Sequence, residues 1–203
     1  MRCSRWYYFV LLLLFNSGLK AQNFDINLLR SINEKEAHFK NEFFGAAAES
    51  VTIVNIGAPV SVYVAGIIKH DRQLKKDAVY MVEAFAVSSV ITHSVKRLSK
   101  RCRPFDAYPF IVKRDKGGGY SMPSGHTSAA FNTATSLSLV CKKWYVTVPA
   151  YLWASGIAYA RMYQGVHYPT DVLEGAVIGA GSAWLCYKAQ HWLNKKQNKK
   201  NRS

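Results

Sequence analysis

Five apolar segments of nearly bilayer-spanning length limit what this chain can become. They lie at about 51–68, 78–95, 127–141, 144–160 and 172–187. The third and fourth form one run broken by Cys141-Lys142-Lys143, which reads as a turn between two helices. Each falls at or a little below the roughly 20 residues that an α-helix needs to cross a bilayer. Lipid offers no water to backbone N–H and C=O groups, so such segments cross as helices. The expected fold is therefore all-α: a helical bundle, polytopic in a membrane, with about five transmembrane helices. The segments are not uniformly greasy. Glu83 lies inside the second, Asn132, Thr133, Thr135 and Ser136 inside the third, and mean hydropathy is only −0.08. A soluble helical bundle is the alternative. Glu83 itself reads either as a functional carboxylate or as a buried partner for a neighbouring helix.

The segment before the bundle has the layout of a secretory signal. Arg2 and Arg5 precede an almost wholly apolar run, Trp6 to Phe15, and a small residue, Ala21, precedes a polar start. This predicts a signal peptide over 1–21. Residues 22–50 mix Phe24, Ile26, Leu28, Leu29 and Ile32, then Phe39, Phe43 and Phe44, with charges. They read as a periplasmic amphipathic segment, one helix or a pair. The bundle then occupies 51–190 and a basic tail 191–203.

With 22–50 outside, the turn at 69–77, the break at 142–143 and the tail all fall inside. They carry Arg72, Lys75 and Lys76; Lys142 and Lys143; and Lys188, Lys195, Lys196, Lys199, Lys200 and Arg202. That matches the positive-inside rule. The outside segment 96–116 breaks it with Lys96, Arg97, Lys100, Arg101, Arg103, Lys113, Arg114 and Lys116. A basic segment on the wrong side points to an anion.

Charge points the same way. The chain has 27 Lys+Arg against 12 Asp+Glu, a formal net charge of +15. Its partner should be anionic. No zinc-finger spacing and no aromatic-basic RNA signature is present, so nucleic acid is set aside in favour of a membrane and a phosphorylated substrate. Cys3 would leave with the signal, and Cys102, Cys141 and Cys186 match neither a metal pattern nor a disulfide framework. Gly175, Gly179 and Ala183 form a small-residue stripe suited to close helix packing.

Three short motifs follow in order, all on the predicted outer side. The first is Lys96-Arg-Leu-Ser-Lys-Arg-Cys-Arg103-Pro104. Seven residues are about two helical turns, so Lys96 and Arg103 would share a face roughly 10 Å apart, with Pro104 ending the helix. Two such cations offset a helix dipole or clamp one phosphate. The second is Pro123-Ser124-Gly125-His126, after the three glycines 117–119 and at a helix start. Ser124 and Thr127 read as capping residues; the same N–H groups also suit a phosphate, with a histidine at hand to move a proton. The third is Arg161-Met-Tyr-Gln-Gly-Val-His167-Tyr-Pro-Thr-Asp171. Pro169 breaks any helix through His167, and Thr170 reads as the cap of the last helix. Asp171 can take the Nδ1 proton of His167 and leave Nε2 free to attack. An ordinary turn would read the same.

Lys-x6-Arg-Pro, Pro-Ser-Gly-His and Arg-x5-His-x3-Asp in this order resemble the signature of the type 2 phosphatidic acid phosphatase superfamily, over about residues 75–187. Its members include membrane lipid phosphatases, soluble periplasmic acid phosphatases and vanadium haloperoxidases. The resemblance implies a metal-independent phosphatase with no cofactor. It makes His167 the nucleophile, Asp171 its orienting partner, and His126 the acid that protonates the leaving oxygen and later activates water. Lys96, Arg103, Ser124, Gly125 and Arg161 would hold the phosphoryl oxygens. The family often has Ser before the third-motif Arg, whereas this chain has Ala160, which removes one possible bond to phosphate. The implied setting is a bacterial inner membrane with the site facing the periplasm. The implied substrate is a lipid phosphate or diphosphate, lipid A favoured, with undecaprenyl diphosphate, phosphatidylglycerol phosphate and phosphatidic acid as alternatives. A soluble non-specific acid phosphatase, a haloperoxidase and a non-catalytic lipid-binding protein are further readings. The sequence is silent on oligomeric state.

Overall fold

The computed structural model of the protein describes residues 24–33 and 38–200. The signal peptide expected over 1–21 lies outside the described residues. Every described element is helical: α1 (24–33), α2 (His38–Ile68), α3 (Arg72–Ser99), α4 (Pro104–Ala107), α5 (Gly125–Cys141), α6 (Trp144–Tyr163) and α7 (Pro169–Lys200). The five expected apolar helices are therefore α2, α3, α5, α6 and α7. Several run beyond the apolar stretches that announced them. α2 passes straight through residue 50, and α7 carries the basic tail on as helix to Lys200.

α5 is the central post, packed by α2, α3, α6 and α7. Its polar residues are spent on its neighbours. Asn132 Nδ2 donates to Ala84 O of α3 and Gly179 O of α7, each at 3.1 Å. Ser128 bonds Ser88 and Thr92 of α3, each at 2.9 Å. Thr133 reaches Asn55 of α2 at 2.7 Å, and Thr135 reaches Tyr151 of α6 at 2.8 Å. Such bonds hold helices together where apolar burial cannot discriminate helix from lipid. The modest hydropathy of this segment thus reflects an interior helix.

The glycine stripe brings α7 onto α5. A methyl group on Gly175 would sit 2.6 Å from Ser124 O, and one on Gly179 would sit 2.1 Å from Ser128 O. Only glycine permits that backbone approach.

The outer faces are apolar. α2 exposes Ile53, Ile56, Val60, Val64 and Ile67; α3 exposes Val79, Val82, Val87 and Val90; α7 exposes Leu173, Val177 and Leu185. α3 buries the opposite stripe, Asp77, Met81, Ala84, Ser88 and Thr92, at helical spacing. Among the described residues, length and hydropathy together single out Asn41–Ile68 and Arg72–Ala107 as stretches able to cross a membrane. A water-exposed surface of this kind is unfavourable by about 25 cal/mol per Å² of apolar area. The protein is a helical membrane protein. Glu83 is exposed on α3, so the buried helix–helix partner considered for it is not found.

Two sequence expectations about helix ends fail. α3 stops at Ser99, with Lys100 in the left-handed region (φ 47) as its cap, four residues before Pro104. Pro104 instead begins α4, since its ring fixes a helical φ and its missing N–H is not needed in a first turn. Arg103 is extended (φ −74, ψ 155), as a residue before proline prefers. Lys96 and Arg103 therefore do not share a helix face. Likewise Pro169 opens α7, and Thr170 lies inside its first turn rather than capping it.

Candidate active site

All three motifs meet at one end of the bundle. α3 delivers Lys96 in its last turn, and α5 starts with Gly125 and His126. Arg161 ends α6, and Asp171 lies in the first turn of α7. The basic turn at 69–77 and the basic end of α7 lie at the other end, as the helix order requires.

Ser124 caps α5: its hydroxyl accepts from Thr127 N–H at 3.5 Å and from Thr127 Oγ1 at 2.9 Å. Ser124 N–H donates to Asp171 O at 2.9 Å, which ties the second motif to the third. The free N–H groups of the first turn of α5 face the same end of the bundle, a placement that suits an anion. Gly125 has open space where a Cβ would be, so its backbone can be approached.

Arg103 is anchored through backbone carbonyls. Nε donates to Gly119 O at 3.0 Å, Nη2 to Gly118 O at 2.7 Å and Nη1 to Val166 O at 2.9 Å. The glycine arm thus folds onto the arginine. Nη1 also stands 3.5 Å from His167 Nε2, the atom expected to attack. Lys96 Nζ donates to Tyr120 O at 2.9 Å from the rim.

His167 is 2% exposed, and its Nδ1 lies 3.6 Å from Asp171 Oδ2 with no hydrogen-bond partner. Asp171 is fully buried. Its Oδ2 accepts from Ser121 Oγ and from Tyr168 N–H at 2.9 Å, and its Oδ1 from Arg101 Nη1 at 2.6 Å. Burial would raise its pKa, but His167, Arg101 and Ser121 outweigh that and hold the carboxyl below its usual range. Burial first, then Arg103 and Arg161, push His167 down to about 4, against the pull of Asp171. The nucleophile candidate is therefore a neutral imidazole over most of the pH range. His126 reaches the surface at the mouth of the site, with one side of its ring shielded by the motifs around it. Loss of surrounding water and then Arg161, Lys96 and Arg103 lower it to about 4, while Asp115 opposes them. That the same cations bear on both histidines shows how closely the motifs converge.

Arg161 is buried at 2% exposure and donates through Nη1 to Asp115 Oδ2 and to Gln164 Oε1, the latter at 2.8 Å. Its Nε has no partner. Among the described residues, no group of three His, Cys, Asp or Glu side chains is placed to hold a metal ion.

Every candidate residue thus lies at this end, but much of the basic segment is paired within the protein. Arg101 pairs with Asp25 and Asp171, Arg114 bonds Tyr163 O, and Lys113 stacks on Phe105. Those side chains hold the loop in place. Sequence reasoning missed Asp25, Arg101, Asp115 and Ser121. Their partners are 46 to 145 residues away, and no short pattern marks them.

Comparison with known proteins agrees with this geometry. Residues 77–195 match the family model of the PAP2 superfamily. Over 84 residues, 41% of this chain, the sequence is 38% identical to the lipid A 4'-phosphatase of Bacteroides thetaiotaomicron, and the chain spans only 37% of that relative. It is 27% identical to the undecaprenyl-diphosphatase of Sulfolobus acidocaldarius, across 89% of this chain and 90% of the relative. The crystal structure of Aquifex aeolicus LpxE superposes with a TM-score of 0.72 at 27% identity, over 81% of this chain and 95% of that one. A Bacillus subtilis phosphatidylglycerolphosphate phosphatase shares the fold, with a TM-score of 0.71 at 20% identity over 92% and 94%. With the family model matched over more than half its length and the three motifs gathered at one site, the chain belongs to the PAP2 superfamily.

Proposed function

We propose that this PAP2-family phosphatase hydrolyses a lipid phosphate or diphosphate at the periplasmic face of the bacterial inner membrane, without a metal, through a phosphohistidine. Lipid A is the favoured substrate. The observation that carries this reading is the setting of His167: a buried neutral imidazole, Nε2 beside Arg103 and Nδ1 facing the Asp171 carboxylate.

His167 Nε2 attacks phosphorus while the bond from phosphorus to the leaving oxygen breaks. His126, which the charge of the bound phosphate favours in its protonated form, gives that oxygen its proton. The ring of His167 becomes cationic, and the 3.6 Å separation from Asp171 tightens as that charge develops. Lys96, Arg103, Arg161, the Ser124 side chain and the Gly125 backbone hold the phosphoryl oxygens as negative charge redistributes over them. Neutral His126 then takes a proton from water, the hydroxide attacks phosphorus, and the N–P bond breaks. Inorganic phosphate leaves and both histidines return to their starting states.

The lipid preference rests on the match to a lipid A 4'-phosphatase and on a strongly cationic chain with an apolar exterior. The second reading, undecaprenyl diphosphate, is favoured by the near full-length match to an undecaprenyl-diphosphatase. Phosphatidylglycerol phosphate and phosphatidic acid fit the same chemistry.

The test is phosphate release by purified protein with chelator present, alongside His167→Ala. The substrates are lipid A, undecaprenyl diphosphate, phosphatidylglycerol phosphate, phosphatidic acid and an aryl phosphate. Selective release from lipid A, lost in the variant, is the expected result. Turnover of the aryl phosphate alone would move the protein to the non-specific acid phosphatases.

A further inference from the structure

Asp25, outside the motifs, reaches the partner of His167 through Arg101, a residue inside the first motif but not of its signature. α1 places Asp25, Leu29 and Asn33 at four-residue spacing, all 1% exposed or less. Asn33 anchors one end: Nδ2 donates to Val112 O and Tyr163 O, each at 2.9 Å, and Oδ1 accepts from Val112 N–H at 2.8 Å. Asp25 anchors the other. Oδ1 accepts from Thr170 N–H at 2.9 Å. Oδ2 accepts from Thr170 Oγ1 at 2.5 Å and from Arg101 Nη2 at 2.7 Å. Arg101 continues through Nη1 to Asp171 Oδ1 at 2.6 Å, and its guanidinium lies 3.8 Å from the ring centre of Tyr168. A carboxylate from α1 thus connects through one guanidinium to Asp171, 146 positions along the chain.

Charge gives this arrangement a consequence. Arg101 bound to Asp171 alone would form a neutral pair. Such a pair does little for a ring that turns cationic during phosphoryl transfer. The second carboxylate leaves the Asp25–Arg101–Asp171 group with net charge −1 and divides the arginine between two acceptors. Both Asp171 oxygens are also fixed by this group together with Ser121 and Tyr168 N–H, so the carboxylate has one orientation toward His167. The site is buried, where such charges are weakly screened.

We infer that Asp25 is a positioning residue: through Arg101 it fixes Asp171 and preserves the negative charge that supports His167 as its ring becomes cationic. α1 is then part of the active site, beyond any role at the membrane surface. The inference rests on His167 as nucleophile.

The test compares Asp25→Asn, Asp25→Glu, Arg101→Lys and His167→Ala in the full chain. Lipid A in detergent micelles and an aryl phosphate serve as probes, with the thermal midpoint of each variant measured in parallel. Asparagine keeps the shape and removes the charge. Per folded protein, Asp25→Asn lowers kcat roughly ten- to a hundredfold, the range for loss of an outer partner that orients a reacting group. KM stays within about twofold, because Asp25 bears on the cationic ring that forms in the transition state and not on bound substrate. The acid limb of kcat/KM moves to lower pH, since removing a nearby negative charge favours neutral His167. Asp25→Glu recovers part of kcat, and Asp25→Asn adds little in an Arg101→Lys background. A normal kcat and an unmoved acid limb in Asp25→Asn, with His167→Ala inactive, would leave Asp25 a purely structural anchor and overturn the inference. A lowered thermal midpoint with unchanged kcat would do the same. Full activity in His167→Ala would instead bring down the nucleophile assignment, and the positioning role with it.

Discussion

Asp115, from the loop before the glycine arm, is bonded to the buried guanidinium of Arg161. Arg161 is a proposed phosphate ligand, and one of its nitrogens is already held by a carboxylate of the protein. Burial opposes ionisation of Asp115, but Arg161 outweighs it and holds the carboxyl below its ordinary range. On that proposal an arriving phosphate competes with a resident anion for Arg161.

Asp115→Asn should relieve that competition. Inhibition by inorganic phosphate or vanadate is expected to strengthen by about tenfold, the scale of one charge-assisted hydrogen bond. A phosphate titration of aryl phosphate turnover measures it. Weaker inhibition would instead make Asp115 a support for Arg161.

Acid should destabilise the protein through His167. In the unfolded chain it titrates near about 6.5; in the fold, burial first, with Arg103 and Arg161, lowers it to about 4. Between those values the unfolded state binds more protons, so stability rises with pH and falls on acidification. Asp171, held below its ordinary range, adds a further loss only once pH drops below the usual carboxylate range. His126 contributes less because it is solvent-exposed and screened. Thermal midpoints in detergent should decline from pH 6.5 toward 4, and His167→Gln should flatten that decline. An equally steep decline in the variant would place the titrating group elsewhere.

The contact between Gly179 and Ser128 O predicts a packing defect with a catalytic cost. Gly179→Ala puts a methyl group 2.1 Å from that oxygen and forces α5 and α7 apart. A loss of about 1–3 kcal/mol is expected, as for other overpacked cores. α5 carries His126 and α7 carries Asp171, so kcat should fall as well. Gly181→Ala meets nothing within 4 Å and serves as control. There the replacement should be neutral or stabilise by about 0.5–1 kcal/mol, as in any helix interior. Denaturation of both variants in detergent decides the point.

These contacts also show what the sequence could reveal. The helices were legible because lipid-facing apolar runs are continuous along the chain. Lys96, Arg103, Ser124, Gly125, His126, Arg161, His167 and Asp171 were legible because each motif is a short string with fixed spacing. The glycine stripe was legible as periodicity. Arg101 was not, because among eight basic residues nothing local separates one that pairs internally from one that faces solvent. Asp25 was hidden for the same reason: its partners, Arg101 and Thr170, lie 76 and 145 residues away. Pro104 misled because proline ends one helix and begins another with equal ease, and only the left-handed cap at Lys100 shows which.

Arg103 should not be replaceable by lysine. Its guanidinium uses three nitrogens on Gly118 O, Gly119 O and Val166 O, and holds Nη1 3.5 Å from His167 Nε2. A planar fork can tie the glycine arm to the Val166 carbonyl and still present charge beside the attacking atom; a single ammonium cannot do both. Arg103→Lys is expected to lower kcat by about 100- to 1,000-fold, the scale for losing one preorganised donor to the transition state. Hydrogen exchange at Gly117–Gly119 should rise in the same variant, because the arm loses its acceptor-bound anchor. Near-normal kcat would mean that positive charge at this point suffices, and that the fork serves only to fold the arm.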